Sequence, residues 1–256
     1  MKGSRRVLGM RVDPVGPEDA VALVMRWTDE LRGRVICAAN VHMVMEARGD
    51  PDFQACMARG DLIVADGRPV WLACRLLGST GARHLRGQDL MMNLCTAAER
   101  RGTPIALFGS TEDVLADLQR VLLQQCPRLS IALALAPPFR PLTSEEEAPM
   151  LAELRDSGAR IVFVALGCPK QERWMFQHRA QLDCAMVGVG AAFEMLAGRS
   201  RVAPVWMQRA GLEWAFRLVI EPRRLWRRYA RHNVPFVVLF ARQWIRSLRS
   251  RPKSDL

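Results

Sequence analysis

Tyrosine occurs once in this chain of 256 residues, histidine four times, and no Cys-x-x-Cys pair exists among its seven cysteines. No histidine stands at zinc-site spacing from a cysteine, so a structural zinc site of the common kind is excluded. Cys37, Cys56, Cys74, Cys95, Cys126, Cys168 and Cys184 read instead as reduced thiols, several of them inside apolar runs, which suits a cytosolic setting. No window approaches the roughly 18–20 apolar residues of a membrane-spanning helix. Residues Met1–Arg6 are followed by no apolar stretch of the kind a signal peptide needs. Internal repeats and low-complexity linkers are also missing, so one domain is the default. With 50% hydrophobic residues, a chain of this length can bury a substantial core.

Negative charge is scarce at one end only. The formal net charge is +11, yet residues 201–256 hold 13 Lys/Arg against 3 Asp/Glu, and the first 200 hold 24 against 23. Nearly all the excess positive charge belongs to the C-terminal fifth. Glu221 to Tyr229 is densely cationic. After Pro235, apolar residues at 237, 240, 241, 244, 245 and 248 oppose Arg242, Arg246 and Arg249. That spacing predicts an amphipathic helix whose apolar stripe enters a headgroup boundary while its arginines meet an anionic membrane surface. The alternatives are a helix docked on its own domain or on a second copy of the chain in a homo-oligomer. Nucleic acid is not expected as a partner, because no RNA- or DNA-binding motif accompanies the basic stretch.

Between these ends, short apolar runs alternate with amphipathic ones. Helices are expected over Pro17–Leu31, Val41–Ala58 (interrupted at Asp50-Pro51), Pro69–Leu77, Gln88–Arg101, Thr111–Gln125 and Thr143–Ser157. Thr143-Ser-Glu-Glu146 carries a capping-box signature. Strands are expected over Arg34–Ala39, Leu62–Ala65, Pro104–Phe108, Ser130–Leu135, Ile161–Leu166 and Ala185–Val187. Strands of this length alternating with helices predict an α/β fold: a Rossmann-like, mostly parallel sheet with helices on both faces, plus a basic C-terminal helical appendage. The corresponding division is an α/β domain over residues 1–220 and a membrane-associating appendage over 221–256.

Two adjacent segments are the most informative. Ile161–Leu166 runs into Gly167-Cys-Pro-Lys170-Gln171-Glu172, and Ala185–Val187 into Gly188-Val-Gly190-Ala-Ala-Phe193-Glu194. Each reads as a buried strand, a tight turn and a helix N-terminus, where exposed backbone N–H groups and the helix dipole suit a phosphate. Two such turns side by side point to a diphosphate-bearing ligand, although many glycine-rich turns in α/β proteins bind nothing. The second resembles a dinucleotide fingerprint with Phe193 in place of the third glycine. A nicotinamide-dependent oxidoreductase is therefore an alternative, but the window Arg209–Leu212 holds no acid to take a ribose hydroxyl. A non-catalytic membrane scaffold is a further alternative.

Leu62–Ala65 ends in Asp66-Gly67, and Arg34–Ala39 ends at Asn40. Carboxylates at strand C-termini face ligands in open α/β sheets, and a partly desolvated Asp can act as a general base. A turn Asp bonded to its own backbone is the competing reading. Asp50-Pro-Asp52 has the spacing of a metal-holding Asp-x-Asp but sits in a helical stretch, and reads as a turn or helix cap.

Asp66-Gly67, Gly87-Gln-Asp89-Leu90, Leu107-Phe-Gly109, Val164 to Glu172, Val187 to Glu194, Ala203-Pro204, and Gly211-Leu-Glu-Trp214 with Arg217 and Glu221-Pro-Arg223 occur in one order. Together they resemble the WecG/TagA/CpsF glycosyltransferase family over roughly residues 8–230. The resemblance implies an inverting transfer of a sugar from a UDP-sugar donor to a polyprenyl-diphosphate-linked saccharide. It implies a peripheral position on the inner face of the cytoplasmic membrane, in capsule, exopolysaccharide, teichoic acid or surface-antigen synthesis. Asp66 matches the family's proposed base, with Asn40 and Gln171 as further catalytic residues. Gly109, Gly167, Lys170, Gly188, Gly190, Phe193 and Glu194 fall on the donor side. Arg83, Arg86, Arg217, Arg223 and Arg224 are expected at the acceptor diphosphate. No cofactor and no metal are expected. The chain departs from the family at Ala38, where Thr is common, and at His84, where Arg is usual, so Arg83 or Arg86 is left to supply that cation.

Overall fold

The structure is a computed structural model describing residues 4–140, 142–200, 203–204, 206–207, 213–220 and 222–249; within these, the side chains at 213, 217, 224, 225 and 228 are outside the description. The chain opens with a hairpin, β1 (Arg5–Val7) and β2 (Met10–Val12), followed by α1 (Pro17–Trp27). Then come β3 (Arg34–Ala39), α2 (Val41–Gly49), α3 (Pro51–Ala58), β4 (Leu62–Ala65), α4 (Arg68–Leu76) and α5 (Gly87–Arg101). The second half holds β5 (Ile105–Gly109), α6 (Glu112–Gln125), β6 (Ile131–Leu135), α7 (Ser144–Asp156), β7 (Ile161–Ala165), α8 (Lys170–His178), β8 (Ala185–Gly188) and α9 (Ala192–Leu196). Among the described residues two C-terminal helices follow, α10 (Glu213–Ile220) and α11 (Pro222–Arg249).

The expected α/β architecture is what forms. Six parallel strands stand in the order β4-β3-β8-β7-β5-β6. Strand side chains alternate between two cores, Val35, Cys37 and Ala39 toward one and Ile36 and Ala38 toward the other. Helices α2, α3 and α8 cover the first face; α1, α5, α6 and α9 cover the second. Helix starts follow local chemistry. Asn40 and Asp50 accept from Met43 N and Phe53 N, and Pro51 and Pro69 sit in first turns. Thr143 and Glu146 form the reciprocal capping box. Asp50 is thus a cap between α2 and α3, and its carboxylate also pairs with Arg173.

Three expectations change. The β1–β2 hairpin is additional: Leu8 and Gly9 both take positive φ, 49° and 98°, the backbone of a two-residue turn with the twist of its strands. A Leu-Gly pair is a weak turn signal, and the hairpin holds through long-range bonds, Asp13 N to Ile63 O and Ile63 N to Asp13 Oδ2. Helix α1 stops at Trp27, four residues early. The third change is at the C-terminus, where one 28-residue helix runs through Pro235. That proline removes only the bond to the carbonyl of Arg231, an exposed residue that water can serve.

The apolar stripe of α11 also splits. Phe236 and Phe240, with His232, are buried against α2, and Gln243 accepts from Leu8 N while donating to Arg6 O. Val234, Val237, Val238, Ile245 and Leu248 face outward. The helix therefore docks on its own domain by one edge and presents a second apolar edge to the outside. Among the described residues no helix is long and apolar enough to cross a membrane.

Candidate active site

At the C-terminal edge of the sheet, β3 and β8 are neighbours, but α2 leaves β3 toward one face and α9 leaves β8 toward the other. Helices departing in opposite directions leave a crevice, which is where open α/β sheets bind ligands. A cleft of ≈ 390 Å³ lies there, within the range of small-molecule sites. The ends of β3, β4, β7 and β8 form its floor, and Trp214 of α10 with Tyr229 and Asn233 of α11 forms part of its wall.

Asp66 and Asn40 both line this cleft. The β3–β4 register sets Ala39 opposite Ala65, so the two residues that follow emerge together. A Cβ placed on Gly67 would lie 3.4 Å from Asn40 Cβ. Asp66 Oδ1 accepts from the backbone N–H of Gly87 at 2.7 Å, the first residue of α5. The carboxylate thus sits at the positive end of that helix. The Oδ1 of Asn40 is used as the α2 cap, which leaves its NH2 as the donor for a ligand.

Gln171 lines the cleft but is only 3% exposed. Its Oε1 accepts from Gly190 N at 2.9 Å and its Nε2 donates to Glu172 Oε1 at 2.7 Å. The side chain therefore braces the β8 turn from α8. Glycine at 188 is what allows this approach, since a Cβ there would meet Gln171 Nε2 at 2.5 Å. Gly190 itself adopts φ 52°, in the left-handed region.

Glu172, beneath Gln171, is fully enclosed. Its Oε2 has no hydrogen-bond partner. Burial pushes this carboxyl up, against the opposing hydrogen bonds from its own backbone, Gln171 and Cys168. A neutral acid is the form that avoids an unpaired charge in the core. Burial, reinforced by Glu172, likewise pushes the Cys168 thiol far up, so Cys168 is no nucleophile at neutral pH.

Cations gather around Asp66. His84 lines the cleft, and burial holds its imidazole below the usual value, with Arg68 and Arg86 acting the same way against a hydrogen bond to the Asp66 backbone. Arg86 also lines the cleft and forks onto Asp89 through two bonds of 2.6 and 2.8 Å. Arg83 lies outside the cleft; its backbone N–H bonds Val15 O and its side chain is exposed. Arg68 is the cationic lining residue that sequence reading missed, and His42, Gln88, Tyr229 and Asn233 line the cleft unforeseen as well. The Arg68 guanidinium lies over Trp71, 5.9 Å from the ring centroid, and its Nε is buried without a hydrogen-bond partner. The only local signal was its position directly after Asp66-Gly67.

Gly167, Gly188 and Gly190 line the cleft, whereas Gly109, Lys170, Phe193 and Glu194 do not. Phe193 is wholly within the α5–α6–α9 core. Gly109 serves close contact between β5 and β7, because a Cβ would meet Ala165 O at 2.5 Å. Lys170 points to solvent from the start of α8, and Arg223 is exposed on α11 away from the cleft lining. The side chains of Arg217 and Arg224 lie outside the described residues.

Comparison with known proteins places the chain in a family. The family model described as "Glycosyl transferase WecG/TagA/CpsF family" matches residues 5–250. An N-acetylglucosaminyldiphosphoundecaprenol N-acetyl-beta-D-mannosaminyltransferase of Bacillus spizizenii is 28% identical over 203 residues, 79% of this chain and 77% of that protein. The enzyme of the same name from Bacillus subtilis is 27% identical over 207 residues, 80% of this chain and 78% of that one.

Proposed function

Since the chain belongs to the WecG/TagA/CpsF family and is a glycosyl transferase, we propose that its cleft moves a sugar from a UDP-sugar to a polyprenyl-diphosphate-linked saccharide with inversion at the anomeric carbon. The observation that carries this reading is the Asp66 carboxylate, held by the Gly87 N–H in the lining of a cleft that the Gln171-braced turn also lines. The two relatives above are named for transfer of N-acetylmannosamine to an N-acetylglucosaminyl-diphospholipid, and that pair is the first donor and acceptor to try.

In this scheme the acceptor hydroxyl loses its proton to Asp66. The hydroxyl oxygen bonds the anomeric carbon on the face opposite UDP, and the bond from that carbon to the diphosphate oxygen breaks, its electron pair leaving with UDP. Negative charge grows on the departing diphosphate. Arg68 and Arg86, which line the cleft, are the groups that can stabilise it, at about 2–4 kcal/mol each by analogy with oxyanion-hole donors. No metal is assigned to the transfer step. Neutral His84 is a hydrogen-bonding group rather than a second charge beside the base.

The second apolar edge of α11, Val234, Val237, Val238, Ile245 and Leu248, lies among exposed Arg231, Arg242, Arg246 and Arg249. This supports peripheral association with an anionic bilayer on the cytoplasmic side, where a lipid-linked acceptor resides. Capsule, exopolysaccharide, teichoic acid and surface-antigen synthesis are the settings in which such a transfer occurs.

The test is a panel of UDP-sugars incubated with a synthetic polyprenyl-diphosphate N-acetylglucosamine acceptor. The product's anomeric configuration is read by NMR. Turnover of one donor to the inverted product is expected. No turnover with any donor, or retention of configuration, overturns the reading.

A further inference from the structure

His42 and Glu46 stand four residues apart on one face of α2, and His232 meets them from α11. One ligand atom from each lies within 4.8 Å of the other two. Glu46 Oε1 is 3.7 Å from His42 Nδ1 and 3.4 Å from His232 Nε2. Both separations exceed the roughly 2.7–3.2 Å of an ordinary N–H···O hydrogen bond. The second matches the edge of a tetrahedron whose centre lies about 2.0–2.1 Å from each corner, roughly 3.3–3.4 Å, and the first is a few tenths of an ångström longer. The two imidazoles also meet edge to face, with centroids 4.8 Å apart and planes at 71°.

We propose that His42, Glu46 and His232 form a binding site for a divalent transition ion of the zinc type, which clamps α11 onto α2. Two imidazole nitrogens and one carboxylate oxygen suit Zn2+ and its neighbours, whereas Mg2+ and Ca2+ select all-oxygen sites. Three protein ligands leave a fourth position for solvent. His232 precedes Phe236 and Phe240 by one and two helical turns, so the ion prolongs their buried seam toward the cleft. His42 lines that cleft, as do Tyr229 and Asn233 on either side of His232. The clamp thereby fixes which part of α11 forms the cleft wall. It takes no part in the bond exchange proposed above, although His42 lines the same cleft as Asp66.

The full-length chain is stripped with a chelator, then titrated with Zn2+ by calorimetry and with Co2+ as a spectroscopic probe of tetrahedral coordination. Uptake of one Zn2+ per chain is expected. His42→Ala and His232→Ala should each weaken it by more than about a hundredfold, beyond the loss typical of an outer-shell partner. His178→Ala, at a buried histidine paired with Glu147 elsewhere, should leave it unchanged. Zn2+ should also slow hydrogen exchange over residues 225–236 in the wild type and not in the His232 variant. Should an alanine variant misfold, His42→Gln and His232→Gln are read in the same way. Failure of the wild type to take up an equivalent of Zn2+, or equal uptake by the His42 and His232 variants, overturns the proposal. No sugar substrate enters these measurements, so the outcome is separate from that of the transfer reaction.

Discussion

Replacing Asp66 by Asn tests the base with little disturbance to the fold. The amide oxygen of Asn can still accept from Gly87 N, the 2.7 Å bond that holds the side chain at the start of α5. What disappears is the negative charge, together with the capacity to take a proton. Loss of charge at a helix N-terminus costs about 0.3–1 kcal/mol, and weakening a charge-assisted bond to a neutral one costs about 1 kcal/mol. For a chain of this size each kcal/mol moves Tm by about 2–4 °C, so Asp66→Asn should melt within about 8 °C of the wild type. Catalysis should fall much further, by about 10²–10⁴-fold in kcat, the contribution of a positioned general base. The assay is single-turnover transfer to the lipid-linked acceptor, with UDP binding measured separately by calorimetry. UDP affinity should stay within a few-fold of wild type. A folded Asp66→Asn enzyme retaining more than about a tenth of wild-type kcat would be too active for Asp66 to be a base of that strength.

Arg68→Ala should weaken UDP binding by about 10–150-fold, because hydrogen bonds to a charged group are worth about 1.5–3 kcal/mol; unchanged calorimetric affinity would remove Arg68 from the diphosphate site. Glu172→Gln tests the buried acid through pH. The folded-state pKa of Glu172 is raised, so its contribution is fully present below the unfolded value of about 4.3 and is lost as pH rises through the folded value. The Gln variant should therefore melt higher than wild type at pH 8, the gap closing toward pH 5; a gap independent of pH would show Glu172 ionised in the native state. Phe236→Ala removes a side chain buried between α11 and the domain and should cost about 3–5 kcal/mol, seen as faster hydrogen exchange along α11. Unaltered exchange there would mean that the helix is held by other contacts.

Much of the site was readable before any coordinates, because its pieces are strand ends. A parallel strand announces itself by a short apolar run, and the residue after it is delivered to the ligand edge of the sheet whatever the helices do. Asn40, Asp66, Gly188 and Gly190 were located in this way, and the structure carries all four to one cleft. Where the expectation concerned a side chain's direction, the outcome was mixed. Phe193 follows the same turn as Gly190, yet the start of α9 rotates it into the core. Arg83 and Arg86 are near neighbours in sequence, but only Arg86 stands where α5 begins against Asp66. Glu172 owes its neutral form to burial, a property of the surroundings rather than of the residue.

Taken by itself, the sequence determined the alternation of strands and helices, the caps at Asp50 and Thr143, and the crowding of positive charge into the last fifth of the chain. These depend on backbone propensity, hydrophobic period and side chains reaching three or four residues along, all of them local. The tertiary structure alone decided that β3 and β8 lie side by side and open a crevice, and that Gln171 reaches across to Gly190. It also decided that Glu172 is sealed from water, that α11 turns Phe236 inward and Val237 outward, and that His232 meets His42 and Glu46. Each of these joins segments far apart in the chain, and such contacts form only when both cores close together, so no window of neighbouring residues contains them.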